Sequence, residues 1–144
     1  MPEEQRVIIM RGIPGSGKTT YWKELYPDAV CCSANDYFTD ADGKYRYDRR
    51  QLKESHRYCQ KVFMQAIEDG ELLIVVDNTN IKCWELEGYV RKAEENCYLV
   101  TVYRMIVDDW REAASRNIHD VPAEAVERMH AGMEDYPDEI MSTL

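Results

Sequence analysis

Eight residues, Gly12-Ile13-Pro14-Gly15-Ser16-Gly17-Lys18-Thr19, constrain this chain more than any others. They follow an apolar run, Val7-Ile8-Ile9-Met10, and lead into Thr20-Tyr21-Trp22-Lys23-Glu24-Leu25, which reads as helix. Strand, glycine-rich loop and helix, in that order, let successive backbone N–H groups curl inward around a phosphate. Three glycines supply the positive φ values such a curl needs. A helix starting near Gly17 adds its unpaired N–H groups and the positive end of its dipole. Lys18 then reaches the β- and γ-phosphates as a point charge, and Thr19 places a hydroxyl on a magnesium ion. The cradle is expected to comprise Gly12, Pro14, Gly15, Ser16, Gly17, Lys18, Thr19 and Thr20, holding ATP or another nucleoside triphosphate with Mg2+.

The 144 residues are expected to form one P-loop domain over 1–144. The net charge of −9, from 27 acidic against 18 basic residues, argues against nonspecific adhesion to nucleic acid while leaving room for a local basic groove. No apolar run approaches the ~20 residues of a membrane helix. Met1 to Arg6 is polar and does not read as a signal peptide. The five cysteines, Cys31, Cys32, Cys59, Cys83 and Cys97, form no CxxC pair. They read as small buried hydrophobes, which points to a reducing, cytoplasmic location with no membrane partner.

Further strands are expected at Ala29–Ser33, Leu72–Val76 and Tyr98–Ile106, each a short apolar run. Helices alternate with them. One runs from about Asp48 to Asp69, with Leu52, His56, Cys59, Phe63, Ala66 and Ile67 as its buried stripe and Gly70 as its stop. Another spans Lys82 to Asn96, with Trp84 and Val90 facing the core. A third, Trp110 to Asn117, is capped by Asp108 or Asp109, and a last one follows Pro122 with Val126 and Met129 inward. Asp135 to Leu144 reads as a frayed tail. Alternation of this kind predicts an α/β, three-layer P-loop NTPase fold. Its four-stranded parallel sheet, in order 2-3-1-4, has helices on both faces and a helical lid.

Ligands of open α/β sheets gather at the C-terminal ends of the strands. Ser33-Ala34-Asn35-Asp36-Tyr37-Phe38 follows the second strand and Asp77-Asn78-Thr79-Asn80 the third. An aspartate closing four or five apolar residues has the form of a Walker B element, which holds magnesium directly or through water. These blocks, with Trp84-Glu85 and with Arg116-Asn117-Ile118-His119-Asp120-Val121-Pro122 followed by Met129, carry a resemblance. In combination they resemble the kinase domain of polynucleotide 5′-kinases, among them the stand-alone P-loop kinases related to the kinase-like domain of NEDD4-binding protein 2. The resemblance implies transfer of the ATP γ-phosphate to a 5′-hydroxyl of RNA or DNA. It makes Lys18, Asp77 and Arg116 catalytic, with Arg116 a lid arginine over the donor phosphates, and puts Thr19 and Asp77 on the metal.

Two departures bear on that reading. The family pattern after the second strand is Ser-x-Asp, and the aspartate takes the proton of the attacking hydroxyl; here it is Asn35, whose amide cannot. Three explanations stay open. Asn35 is an Asp→Asn substitution that keeps the shape and removes the base, or Asp36 has the role, or the protein binds without turnover; the first is preferred because the other blocks are intact. Secondly, Phe38 stands where some relatives have an acceptor-gripping arginine, and His119-Asp120 where some have a second lid arginine. The acceptor site is expected among Tyr37, Phe38, Arg46, Arg49, Arg50, Asn78, Thr79 and Asn80, with stacking on Tyr37 or Phe38 and phosphates on the arginines. A kinase of a small acceptor such as a nucleoside is the competing reading.

Overall fold

The chain is seen in a computed structural model that describes residues 4–119 and 121–144. The sheet contains β1 (Arg6–Arg11), β2 (Val30–Cys32), β3 (Leu73–Asp77), β4 (Leu99–Met105) and β5 (Ile140–Ser142), in the order β2-β3-β1-β4-β5 with every pair parallel. The helices are α1 (Lys18–Leu25), α2 (Leu52–Glu68), α3 (Cys83–Glu95), α4 (Trp110–Arg116) and α5 (Ala123–Gly132). The order expected for the first four strands is the one found.

β1 is central, and its side chains divide by parity, as a strand's must. Val7 and Ile9 pack with Ile74 and Val76 against Cys59 and Phe63 of α2 and Leu86 and Tyr89 of α3. Ile8 and Met10 pack with Val75 against Trp22 of α1 and Met105. Both faces are thus covered, which is why β1 and β3 read as unbroken apolar runs. A third, smaller core of Ile13, Ile81, Ala113 and Val126, with Met129 against it, seats α4 and α5 beside the glycine-rich loop. This is the expected helical lid.

Several expectations need correction. Residues 135–144 are no frayed tail. They add β5 to the edge of β4, and Glu139 forms an ion pair at 2.8 Å with Arg11, both side chains buried. Arg11 also donates to the carbonyls of Asn80, Ile81 and Glu134, so the end of β1 is tied to the C-terminal segment. Trp84 is 75% exposed, because it lies two residues, or about 200° of helix, before the buried Leu86. In α2 the buried line is Ser55, Cys59, Phe63 and Ala66, so His56 falls one residue to its side and is exposed; Leu52, which opens the helix, is exposed too. Cys32 and Cys59 are buried as expected, whereas Cys97 is exposed. Among the described residues, no helix is long and apolar enough to cross a membrane.

Candidate nucleotide and acceptor site

The loop after β1 turns through three positive-φ glycines, Gly12 at 156°, Gly15 at 80° and Gly17 at 93°. Gly15 is irreplaceable on space as well as on φ: a methyl group there would stand 1.8 Å from the Ala113 carbonyl oxygen of α4. The Gly12 N–H donates to Thr79 O at 3.0 Å, so the loop hangs on the segment after β3. Gly17, in the left-handed region, caps α1 with no side-chain bond to the helix N–H groups.

Lys18 folds its ammonium onto the loop, donating to Gly12 O at 2.9 Å and Ile13 O at 3.1 Å. Burial pushes its pKa down to about 8, while the negative charge of Asp77 works the other way. Ser16 Oγ is buried with no hydrogen-bond partner among the described residues. A desolvated ammonium, an unsatisfied hydroxyl and a glycine turn with no room for a Cβ at Gly15 are the features expected of a phosphate site, and the residues fit a triphosphate.

Asp77 ends β3 and is buried. Its Oδ2 accepts from Thr19 Oγ1 at 2.7 Å and from Trp22 Nε1 at 2.9 Å. Hydroxyl and carboxylate therefore stand side by side next to Lys18, a pairing that suits Mg2+, which takes one or two protein oxygens and completes its shell with phosphate and water. Trp22 is a site residue missed in the sequence. Its position four residues after Lys18, one helical turn on, was the available signal.

Arg116, the last residue of α4, donates from Nε to Gly15 O at 3.2 Å, so its guanidinium lies against the glycine-rich loop. Asp109 caps α4, its side chain accepting from Arg111 N. Asp120 lies outside the described residues.

Asn35 and Asp36 lie on a short 3-10 turn, Ala34–Phe38, at the end of β2. Ser33 caps it, accepting from Asn35 N at 3.3 Å, and Asn78 Oδ1 accepts from Ala34 N at 2.9 Å. The Asn35 side chain accepts from the Tyr45 hydroxyl at 3.4 Å, another contact not foreseen. Asp36 sits at the rim with its pKa raised, first by partial burial and then by Asp77; His119 and Lys23 pull it back. The turn, the end of β3, α1 and the lid thus share one electrostatic neighbourhood.

The expected acceptor residues divide. Asn78 and Asn80 are buried, with Asn78 Nδ2 on Cys59 Sγ and Asn80 Nδ2 on Met10 O, so both amides are committed inside the protein. Thr79 is half-buried, and its carbonyl holds Gly12. Phe38 is buried, while Tyr37 is partly exposed and lies edge-on to it. Arg46, Arg49 and Arg50 are exposed; Arg46 pairs with Asp40 at 3.3 Å and Arg50 with Asp48 at 3.2 Å.

Human NEDD4-binding protein 2 is 35% identical to this chain over 131 residues, 85% of the chain, which itself spans only 7% of that protein's length. Among solved structures, a candidate kinase from Chloroflexus aurantiacus superposes with a TM-score of 0.69 at 15% identity, over 99% of this chain and 90% of that one. A chain of the Pnkp1/Rnl/Hen1 complex gives 0.66 at 16%, over 96% of this chain and 45% of that one. A sugar kinase from Janibacter sp. gives 0.59 at 19%, over 97% and 84%. At these identities the structures speak for the fold alone. The family model described as an AAA domain matches residues 7–136, and the chain belongs to that family, as a P-loop domain of kinase-like fold.

Proposed function

We propose that this chain is built to transfer the γ-phosphate of ATP, or another nucleoside triphosphate, to a 5′-hydroxyl of RNA or DNA. The observation that carries the reading is the convergence of Lys18, the Thr19–Asp77 pair and Arg116 on one loop, beside the Ser33–Phe38 turn. Lys18 and the loop N–H groups hold the phosphates, and Thr19 and Asp77 orient the metal. Magnesium, when bound, neutralises charge on the phosphates. Arg116 needs only to turn from Gly15 O toward the γ-phosphate to stabilise the charge that develops there. The 5′ oxygen bonds to phosphorus as the bond to the β–γ bridging oxygen breaks, and the hydroxyl proton passes to a nearby base.

The base is the weak point. Asn35 cannot take the proton, and Asp36 is the sole carboxylate on the turn. With its pKa raised, Asp36 is a better proton acceptor than an ordinary carboxylate. We assign it the residual transfer of a chain whose principal base position holds an amide. The nucleic-acid acceptor is favoured by the DNTN and RNxH–VP blocks and by the exposed Arg46, Arg49 and Arg50, which suit backbone phosphates. The net charge of −9 and Phe38 in place of an arginine favour a small acceptor instead.

Label transfer decides between them. ATP labelled on the γ-phosphate is incubated with a 5′-hydroxyl oligonucleotide, a nucleoside, a sugar, or no acceptor. Label on the oligonucleotide is the expected result; label on the nucleoside or sugar alone overturns the polynucleotide reading and leaves the kinase one standing.

A further inference from the structure

The loop between β2 and α2 holds an aromatic arrangement that the phosphate chemistry does not use. Thr39 and Tyr45 pair across an antiparallel bridge, and the Arg46 N–H donates to Phe38 O at 2.8 Å, which pins the segment to the 3-10 turn. Side chains two apart on an extended segment share a side. Tyr45 and Tyr47 do so, with rings within 13° of parallel and centroids 6.5 Å apart. That separation lies near the far end of the roughly 4.5–7 Å range of stacked aromatic pairs. The buried Phe38 meets both edge-on, at 6.1 Å and 5.2 Å, as a floor. Tyr47 is 49% exposed, although burying a ring of that size is ordinarily favourable. The Tyr45 hydroxyl reaches Asn35 Oδ1, one hydrogen bond from where the attacking hydroxyl belongs, and His119 of the lid lies 4.8 Å from the Tyr45 ring.

We propose that Tyr45 and Tyr47 form a stacking site for the 5′-terminal nucleobase of the acceptor strand. The inference rests on the nucleic-acid reading above and gives it an acceptor grip other than charge. Stacking accepts any base, since each has a π-face, so the site selects for a nucleobase over a sugar rather than for one base over another. It also offsets the missing arginine at Phe38, since a planar contact fixes the terminal nucleotide where no guanidinium holds its phosphate.

The test is a binding titration, independent of turnover. A 3′-labelled single-stranded 5′-hydroxyl oligonucleotide is followed by fluorescence anisotropy with Mg2+ and a non-hydrolysable ATP analogue, beside the same strand with an abasic 5′-terminal residue. The proteins are the parent chain, Tyr47→Phe, Tyr47→Leu and Tyr47→Ala. Tyr47→Leu keeps apolar cover over Phe38, and matching thermal melts establish that it is folded. Expected are parent-like binding by Tyr47→Phe and Kd values about tenfold or more higher for Tyr47→Leu and Tyr47→Ala. The abasic strand should bind all four alike, at that weaker level. Equal binding of both strands by the parent, or parent-like binding by Tyr47→Leu, overturns the stacking site and leaves the acceptor class untouched. Failure of the parent to bind either strand overturns the acceptor class and the site with it.

Discussion

Lys18 is drawn out of water onto the loop carbonyls, and that desolvation lowers its pKa to about 8 from an ordinary 10.5. Below pH 8 it is charged in folded and unfolded chains alike, and the folded state bears the full desolvation penalty. Between about 8 and 10.5 the unfolded chain holds the extra proton, so the stability contributed by this group rises with pH. On the proposed reading, phosphate binding needs the ammonium. ATP affinity should therefore weaken from pH 7 to pH 9, and binding near pH 8.5 should take up a proton. Calorimetry in two buffers of different ionisation enthalpy measures that uptake, and a pH-independent affinity with no proton uptake contradicts it. At Asn35, restoring Asp should raise the rate of transfer to a 5′-hydroxyl by about 10²–10⁴, the usual worth of a placed general base. Single-turnover kinetics with Asn35→Asp measure it; no gain would mean that Asp36 already suffices or that the acceptor hydroxyl lies elsewhere.

At the scale of elements, the loop packs closely against α4 where Gly15 faces the Ala113 carbonyl, and the C-terminal segment is locked to β1 by charge. Gly15→Ala drives a methyl into the Ala113 carbonyl and should cost about 3 kcal/mol. Gly43→Ala has the same φ of 80° but open space around it, and should cost only about 1 kcal/mol. Urea denaturation of the two variants separates space from strain, and equal costs would refute the contact. Glu139→Gln leaves the Arg11 guanidinium buried without its counter-charge, and a loss of about 3 kcal/mol is expected from the same measurement. Sequence legibility followed physical signal strength. β1 and β3 were legible because burial on both faces writes an unbroken apolar run, and the glycine loop because its φ values admit few residues. β5 was not, since Ile140-Met141-Ser142 is three residues long and two of them are exposed, leaving no pattern to read. Asn78 and Asn80 looked available to an acceptor because polar residues after a strand usually face the cleft; their inward bonds depend on Cys59 and on the Met10 carbonyl, which no local pattern announces. Tyr45 reaches Asn35 from ten residues away by a turn that only the folded chain defines.

For the molecule as a whole, the sheet brings the ends of β1, β2 and β3 to one edge, and the small core under α4 and α5 holds Arg116 over it. That arrangement is what the kinase-like fold contributes; on the proposed reading, the acceptor is chosen by the segment from Asn35 to Tyr47, between β2 and α2. The central claim is that the loop from Gly12 to Thr19 grips a triphosphate through its backbone and Lys18, beside Asp77. Titration of ATP with Mg2+ into the parent chain and into Lys18→Met measures this most directly. The account predicts saturable one-to-one binding by the parent and at least a hundredfold weaker binding by Lys18→Met, whose melting temperature at pH 7 is no lower. Equal affinity in the two proteins, or no binding by either, would contradict it.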